Sequence, residues 1–380
     1  MTAWILLLTG FTVGNLYKFS FFTPDVHVSI LDVVVFLLTL ASLFSNRRSY
    51  PNLARPIFTF FTLGLVSLLA ALRLFPWSAI LVGSLYLGRW LVYSVFFASL
   101  IQLIKPIKIG YIVYSLGILT VILSLGQYLI FPDIRSLAVS EWDPHYYRVV
   151  GQFLDPGFTG LILVFTLILA TLRNHKFLWF LTYLPFALTY SRSSYAAFLV
   201  SMAYIAWKQK GWKFFFGILL LFTTTVVLLP RAPDGEGVKL ERTNSIQARI
   251  DSWKTAWRIF SQHPFLGVGF NTYRYAQGAS LKSHAGAGAD SSLLFVAATT
   301  GIFGLLAYLW YLRRLFLLQT ANYELRTTLV ALLVHSLFLN SLFYPAVMVW
   351  LSLLVLSSFD SPPGRPPQTP VRFPRNSATG

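Results

Sequence analysis

The chain has 380 residues, 56% of them apolar and only 11% charged, with 30 basic against 13 acidic side chains and a net charge of +17. So few charges exclude a water-soluble surface, and the absence of cysteine excludes disulfides, thiolate chemistry and cysteine zinc sites. No basic stretch is interleaved with stacking aromatics. The surplus of Lys and Arg therefore reads as the positive-inside rule plus anionic lipid, with no nucleic-acid partner.

Apolar runs of roughly 20 residues recur along the chain. They do not alternate as the strands of a barrel would, so the expected fold is an all-α integral membrane protein. About twelve spans are expected, at 3–21, 27–45, 56–74, 78–103, 110–131, 156–172, 177–190, 194–207, 213–230, 292–311, 325–341 and 343–358. Trp4 to about Phe22 lacks a basic start and a convincing cleavage site, and reads as a retained span. Arg47, Arg48 and Arg55, then Lys105 and Lys108, then Arg173 and Lys176, then Lys208, Lys210 and Lys213, then Arg313, Arg314 and Arg326 mark alternate connections. Those connections are expected to be cytoplasmic, with both termini inside. The expected organisation is a polytopic membrane domain over 1–358, interrupted by a long extracytoplasmic loop at 231–291, and a basic, Pro-rich, disordered cytoplasmic tail at 359–380.

Three basic segments fall on the outward side, where the rule disfavours them, and an anionic ligand is one reason for that. The first is YYRVVGQFLDPGF, with Arg148 ahead of an Asp155-Pro156 helix start. The second is LTYSRSSYAAFL, where Ser191 or Ser193 caps a new helix and Arg192 adds a planar fork to its N-terminus, a combination suited to phosphate or diphosphate. An interfacial anchor that snorkels is the competing reading of Arg192. The third is NSIQARIDSWKTAWRIFSQHPFLGVG. Its Ile246, Ile250, Trp253, Trp257 and Phe260 recur at helical spacing, Arg249 lies about 60° from the centre of that apolar face, and Asp251, Lys254 and Arg258 point away. An amphipathic helix resting on the bilayer, with Arg249 on a lipid headgroup, also explains the helix, but leaves the flank position of Arg249 to chance.

In GAGADSSLLFVAATTGIFG, Asp290 stands at the mouth of an apolar helix. It reads either as the helix cap or as a general base, and both hold only if one oxygen stays free. Gly301 and Gly304 suit close helix packing. The six histidines show no metal-ligand spacing, and neither a Walker loop nor a complete dinucleotide fingerprint is present, so no metal and no cofactor are expected.

In span layout, and in the order and sidedness of these segments, the chain resembles the O-antigen ligase and O-antigen polymerase family of bacterial membrane glycosyltransferases. Ser191-Arg192 resembles the family's Ser-Arg motif between two spans, and Arg249 with HPFLGVGFNTY resembles its long-loop motif. RVVGQFLDPGF resembles its upstream Arg and Pro segment. Ser291, nine residues, Gly301 and Gly304 resemble its last motif, except that Asp290 stands where the family has His; the nearest histidine, His284, is the alternative base. The resemblance implies a GT-C-type, metal-independent, inverting transfer of an oligo- or polysaccharide from undecaprenyl diphosphate. The acceptor would be a growing glycan, a lipid A core or a protein, on the outer face of the bacterial cytoplasmic membrane in surface polysaccharide biosynthesis. It assigns Arg192, Arg249 and Arg148 to the diphosphate and Asp290 to the acceptor proton. A transporter or flippase of lipid-linked or anionic glycans is the alternative. The few charges within spans (Lys18, Asp32, Arg89) and the lack of an inverted repeat speak against it.

Overall fold

The computed structural model of the protein describes residues 2–14, 16–21, 23–43, 51–103, 109–140, 144–232, 236–277, 288–318 and 322–358. The expected tail at 359–380, His284, and the basic positions 47, 48, 105 and 108 lie outside the described residues.

The twelve apolar segments all fold as helices. They are α1 (Thr2–Val13), α2 (Ile30–Leu43), α3 (Pro51–Ala71), α4 (Trp77–Leu103), α5 (Ile109–Ile130), α6 (Pro156–Leu172), α7 (Lys176–Ala187), α8 (Arg192–Ile205) and α9 (Trp212–Leu228), followed after the long loop by α12 (Ser292–Phe316), α13 (Tyr323–His335) and α14 (Pro345–Ser358). The loop itself contributes the amphipathic α10 (Asn244–Gln262) and the single turn α11 (Tyr273–Ala276). By length and composition four of these helices, α3, α4, α5 and α12, are able to cross a membrane; α1, α2, α6, α9 and α14 are apolar but shorter.

The first two expected spans are shorter than their apolar runs. Residues between them form an antiparallel hairpin, β1 (Lys18–Phe21) with β2 (Thr23–Ser29). Aromatic and β-branched residues that pass for helix in a hydropathy window favour a strand when they alternate as Phe19, Phe21 and Val26, Val28 do. The charges buried nearby are matched. Asp32 pairs with Arg89 at 2.7 Å and accepts from the Tyr93 hydroxyl at 2.8 Å, so neither charge faces hydrocarbon alone.

Helix α6 is apolar all round and buried along nearly its whole length, which makes it the axis of the bundle. Helices α5, α7, α8 and α13 pack around it, while α3 with α12 and α2 with α4 form the other close pairs. Helix α9 buries only Phe222, and its exposed leucines and valines suit a lipid-facing rim.

Helix α12 is broken. Gly301 takes φ +65° and ψ −167°, outside the helical region. The carbonyls this opens are taken by the HPFLGVG segment: Val268 N donates to Ala298 O (3.1 Å) and Gly269 N to Thr299 O (2.9 Å), while Ile302 N donates to Pro264 O (2.8 Å). Ser67 on α3 donates to both Leu266 O and Thr299 O at 2.6 and 2.7 Å. The two glycine motifs are thus two halves of one splice. Gly301 lies against the Phe265 carbonyl, and Gly267 against the Thr299–Thr300 peptide, with no room for a Cβ at either. The expectation that Gly301 serves helix packing is corrected: it breaks the helix so that the end of the long loop is stitched to it.

Candidate active site

Three helices begin at one end of the bundle, each with a polar cap. Asp155 accepts from Gly157 N (2.6 Å) and Phe158 N (2.8 Å) at the start of α6. Ser191 accepts from Ser194 N at the start of α8, and Ser291 from Leu294 N at the start of α12. The turn after α13 joins them. Ser292 N donates to Ser336 O, Ser292 Oγ donates to Leu339 O, and Leu339 lies against Gly157. His335, fully buried at the end of α13, places Nδ1 2.6 Å from Ser341 Oγ and Nε2 3.3 Å from Ser194 Oγ. The positive ends of three helix dipoles therefore share one region.

Above it, Arg192, Ser193, Ile246, Arg249 and Phe338 line a cavity of about 180 Å³. A space of this size admits several waters or an anionic headgroup. The two arginines, remote in sequence, share this space.

They are held differently. Arg192 is tied to the segment before α10: Nη1 donates to Leu240 O (3.3 Å) and Arg242 O (3.0 Å), and Nη2 donates to Ser245 Oγ. Arg249 has its guanidinium 6.0 Å from the Phe338 ring and has no hydrogen bond with the described residues. Burial pulls its pKa down, opposed by the nearby charges of Asp290 and Asp155, while Arg192 adds to the lowering.

Helix α10 is rotated from the expected pose. Ala256 and Ile259 are buried, with Arg249, Ser252 and Trp253 partly covered on the same face, whereas Ile246 is 46% and Trp257 60% exposed. Apolar periodicity placed Trp257 on the face expected to pack, against protein or bilayer. A helix at a membrane surface has a second apolar neighbour, lipid, and small Ser252 and Ala256 permit the closer approach to protein. Arg249 consequently sits on the packed face itself.

Asp290 is not the cap; Ser291 is. The Asp290 amide donates to Ser252 Oγ (3.0 Å), which fixes the residue beside α10, and no described residue hydrogen-bonds its carboxylate. Burial pushes its pKa up, and Arg249 pulls it back. A partly buried carboxylate beside an arginine, with no hydrogen bond from the described residues, has the chemistry of a proton acceptor.

Arg148 is placed elsewhere. It is 7% exposed and donates through Nε to Thr189 O (3.0 Å) and through Nη2 to Tyr190 O (3.3 Å). Burial and the neighbouring Arg242 lower its pKa to about 9, against the pull of Asp155, which leaves it a cation at neutral pH. Arg148 does not line the cavity of Arg192 and Arg249. Sequence reasoning also missed Arg242, Ser245, Phe338 and His335. Arg242 follows Glu241 in a polar run that reads as solvated, and Phe338 is one of many aromatics in an apolar run, so neither carried a local signal.

Fold and site together define a mostly helical protein with apolar, membrane-type helices and an arginine-lined cavity at one end of its bundle. Residues 177–309 match the O-antigen ligase family, a stretch that runs from α7 into α12 and contains Arg192, Arg249 and Asp290. The match supports the resemblance drawn from the motifs, a membrane location and a role in surface polysaccharide biosynthesis. No curated protein matches the chain.

Proposed function

We propose that the protein is a glycosyltransferase that moves an oligo- or polysaccharide from undecaprenyl diphosphate to an acceptor hydroxyl, on the outer side of the bacterial cytoplasmic membrane. The observation that carries this reading is the meeting of Arg192 and Arg249 in one cavity, over the N-terminus of α8. Two guanidinium forks and a helix dipole match the charge of a diphosphate.

In the reaction the acceptor oxygen bonds to the anomeric carbon from the face opposite the diphosphate. The bond from that carbon to the diphosphate oxygen breaks, its electron pair leaves with the lipid diphosphate, and the hydroxyl proton passes to Asp290. The arginines stabilise the charge that grows on the leaving group. Inversion at the anomeric carbon follows from the single displacement.

Sidedness has support in the layout. Helices α6, α8 and α12 start at the site and end near Arg173, near Lys208 and Lys210, and at Arg313 and Arg314. These five basic residues thus lie at the helix ends away from the cavity, the end the positive-inside rule assigns to the cytoplasm.

The test is reconstitution of the purified protein with a lipid-linked oligosaccharide and an acceptor glycan. Release of lipid diphosphate with a new glycosidic bond is the expected result, and Arg192→Ala or Arg249→Ala abolishes it while the protein stays folded in the membrane. Movement of the intact lipid between leaflets without bond formation would make the protein a transporter.

A further inference from the structure

We infer that Arg148 and Arg242 are positioning residues that lock the turn carrying Arg192 to the segment carrying Arg249; this rests on the proposed diphosphate subsite. Tyr190, immediately before the Ser-Arg pair, has φ +50°, a left-handed conformation that a bulky residue adopts only when its surroundings enforce it. Its carbonyl accepts from Arg148 Nη2 and from Arg242 Nη2, both at 3.3 Å. Arg148 Nε holds the preceding carbonyl, Thr189 O, at 3.0 Å. The Tyr190 hydroxyl donates to Pro230 O at 2.5 Å, so its side chain is held as well.

The lock is reciprocal. The side chain of Arg242 grips the Tyr190 peptide, while the main-chain carbonyl of Arg242 accepts from Arg192 Nη1 at 3.0 Å. Arg242 also folds its own segment, with Nη1 donating to Gly237 O (2.7 Å) and Lys239 O (2.8 Å). Two residues after Arg242, α10 begins, and Arg249 stands in its second turn. One set of hydrogen bonds thus sets both cavity arginines.

The choice of arginine has a physical reason. Each bridge needs a planar fork that reaches two or three carbonyls at fixed angles, which a lysine ammonium does not supply. Arg148 forms no ion pair with a described carboxylate, and a buried cation held only by carbonyls is costly. Its charge adds to the positive field around Arg192.

The test uses the full chain in liposomes, with a lipid-linked donor, an acceptor glycan and hydrogen exchange on the same samples. Arg242→Met is expected to raise the donor KM at least about tenfold, the scale of a charged hydrogen bond, with the acceptor KM unchanged. Amides of 188–193 and 240–245 exchange faster, while those of α6 and α12 do not. Arg242→Lys and Arg148→Lys recover little, because charge returns without the fork. A wild-type donor KM in Arg242→Met, or full rescue by lysine, overturns the lock. Should these variants be lost from the membrane, Gly237→Ala replaces them. It removes no donor but sets a methyl 2.6 Å from Arg148 Cδ, and unchanged donor KM and exchange there overturn the proposal equally. The exchange pattern needs no turnover, so a wild type without transferase activity defeats the functional reading while leaving the lock separately judged.

Discussion

Asp290 illustrates how far a single residue was readable. Its position at a helix mouth was plain from GADSSLL, but the choice between cap and base was not, because Asp290-Ser291-Ser292 offers three possible caps. The backbone decides it: Ser291 caps, and the carboxylate stays unbonded by described residues. Asp290→Asn is then expected to abolish transfer without loss of fold. A general base works only when deprotonated, so transfer falls as pH drops through the Asp290 pKa. That acid limb is shifted upward from where an ordinary aspartate would put it, because burial raises the pKa against the pull of Arg249. In Arg249→Gln, which loses the cation that lowers it, the Asp290 carboxyl is expected to titrate at higher pH, read from its carboxyl band by infrared spectroscopy without turnover. The sign for stability is opposite to that for activity. A carboxyl with a raised folded pKa costs stability above that pKa and regains it as pH falls through it. Thermal unfolding at neutral pH should accordingly give Asp290→Asn a midpoint equal to or above wild type, and a clear drop would make Asp290 structural. The arginines were legible for a different reason. Arg192 and Arg249 carry distinctive neighbours, whereas the lock residue Arg242 depends on contacts across the loop that no local pattern encodes.

At the level of elements, helix positions were legible and helix faces were not. Each of the twelve apolar segments contains a helix, although only four of those helices are long and apolar enough to cross a membrane, yet α10 turned away from its expected pose. An apolar stripe marks what avoids water, without distinguishing protein from lipid. The Gly301 break was hidden for the converse reason. FVAATTGIFGLLA has an unbroken helical hydropathy, and the break is stabilised by a remote partner, the carbonyl-seeking amides of Val268 and Gly269. Gly301→Ala forces a Cβ 2.2 Å from the Phe265 carbonyl at φ +65°. It should destabilise the protein by about 2 kcal/mol or more, read as a lower unfolding midpoint in detergent. Gly217→Ala on α9 is the control. Nothing lies within 4 Å of its Cβ, so better helix propensity makes it neutral or stabilising by up to about 1 kcal/mol.

For the whole molecule, composition spoke to class and charge alternation set an expectation of sidedness, while the assembly of the cavity from α8, α10 and the turn after α13 is a tertiary fact. The chain has no cysteine, so single introduced thiols report without background. With the cavity outward, Gln247→Cys on the exposed face of α10 reacts with a membrane-impermeant maleimide added outside spheroplasts, and Lys208→Cys reacts only after the membrane is opened. The reverse pattern would invert the protein. The measurement that bears most directly on the central claim is a double-mutant cycle on binding of undecaprenyl diphosphate by wild type, Arg192→Ala, Arg249→Ala and the double variant. Two arginines on one diphosphate predict that each single change weakens binding strongly and that the two are non-additive, since neighbouring groups on one ligand couple. Additive losses, or unchanged binding in either single variant, would contradict a shared diphosphate site.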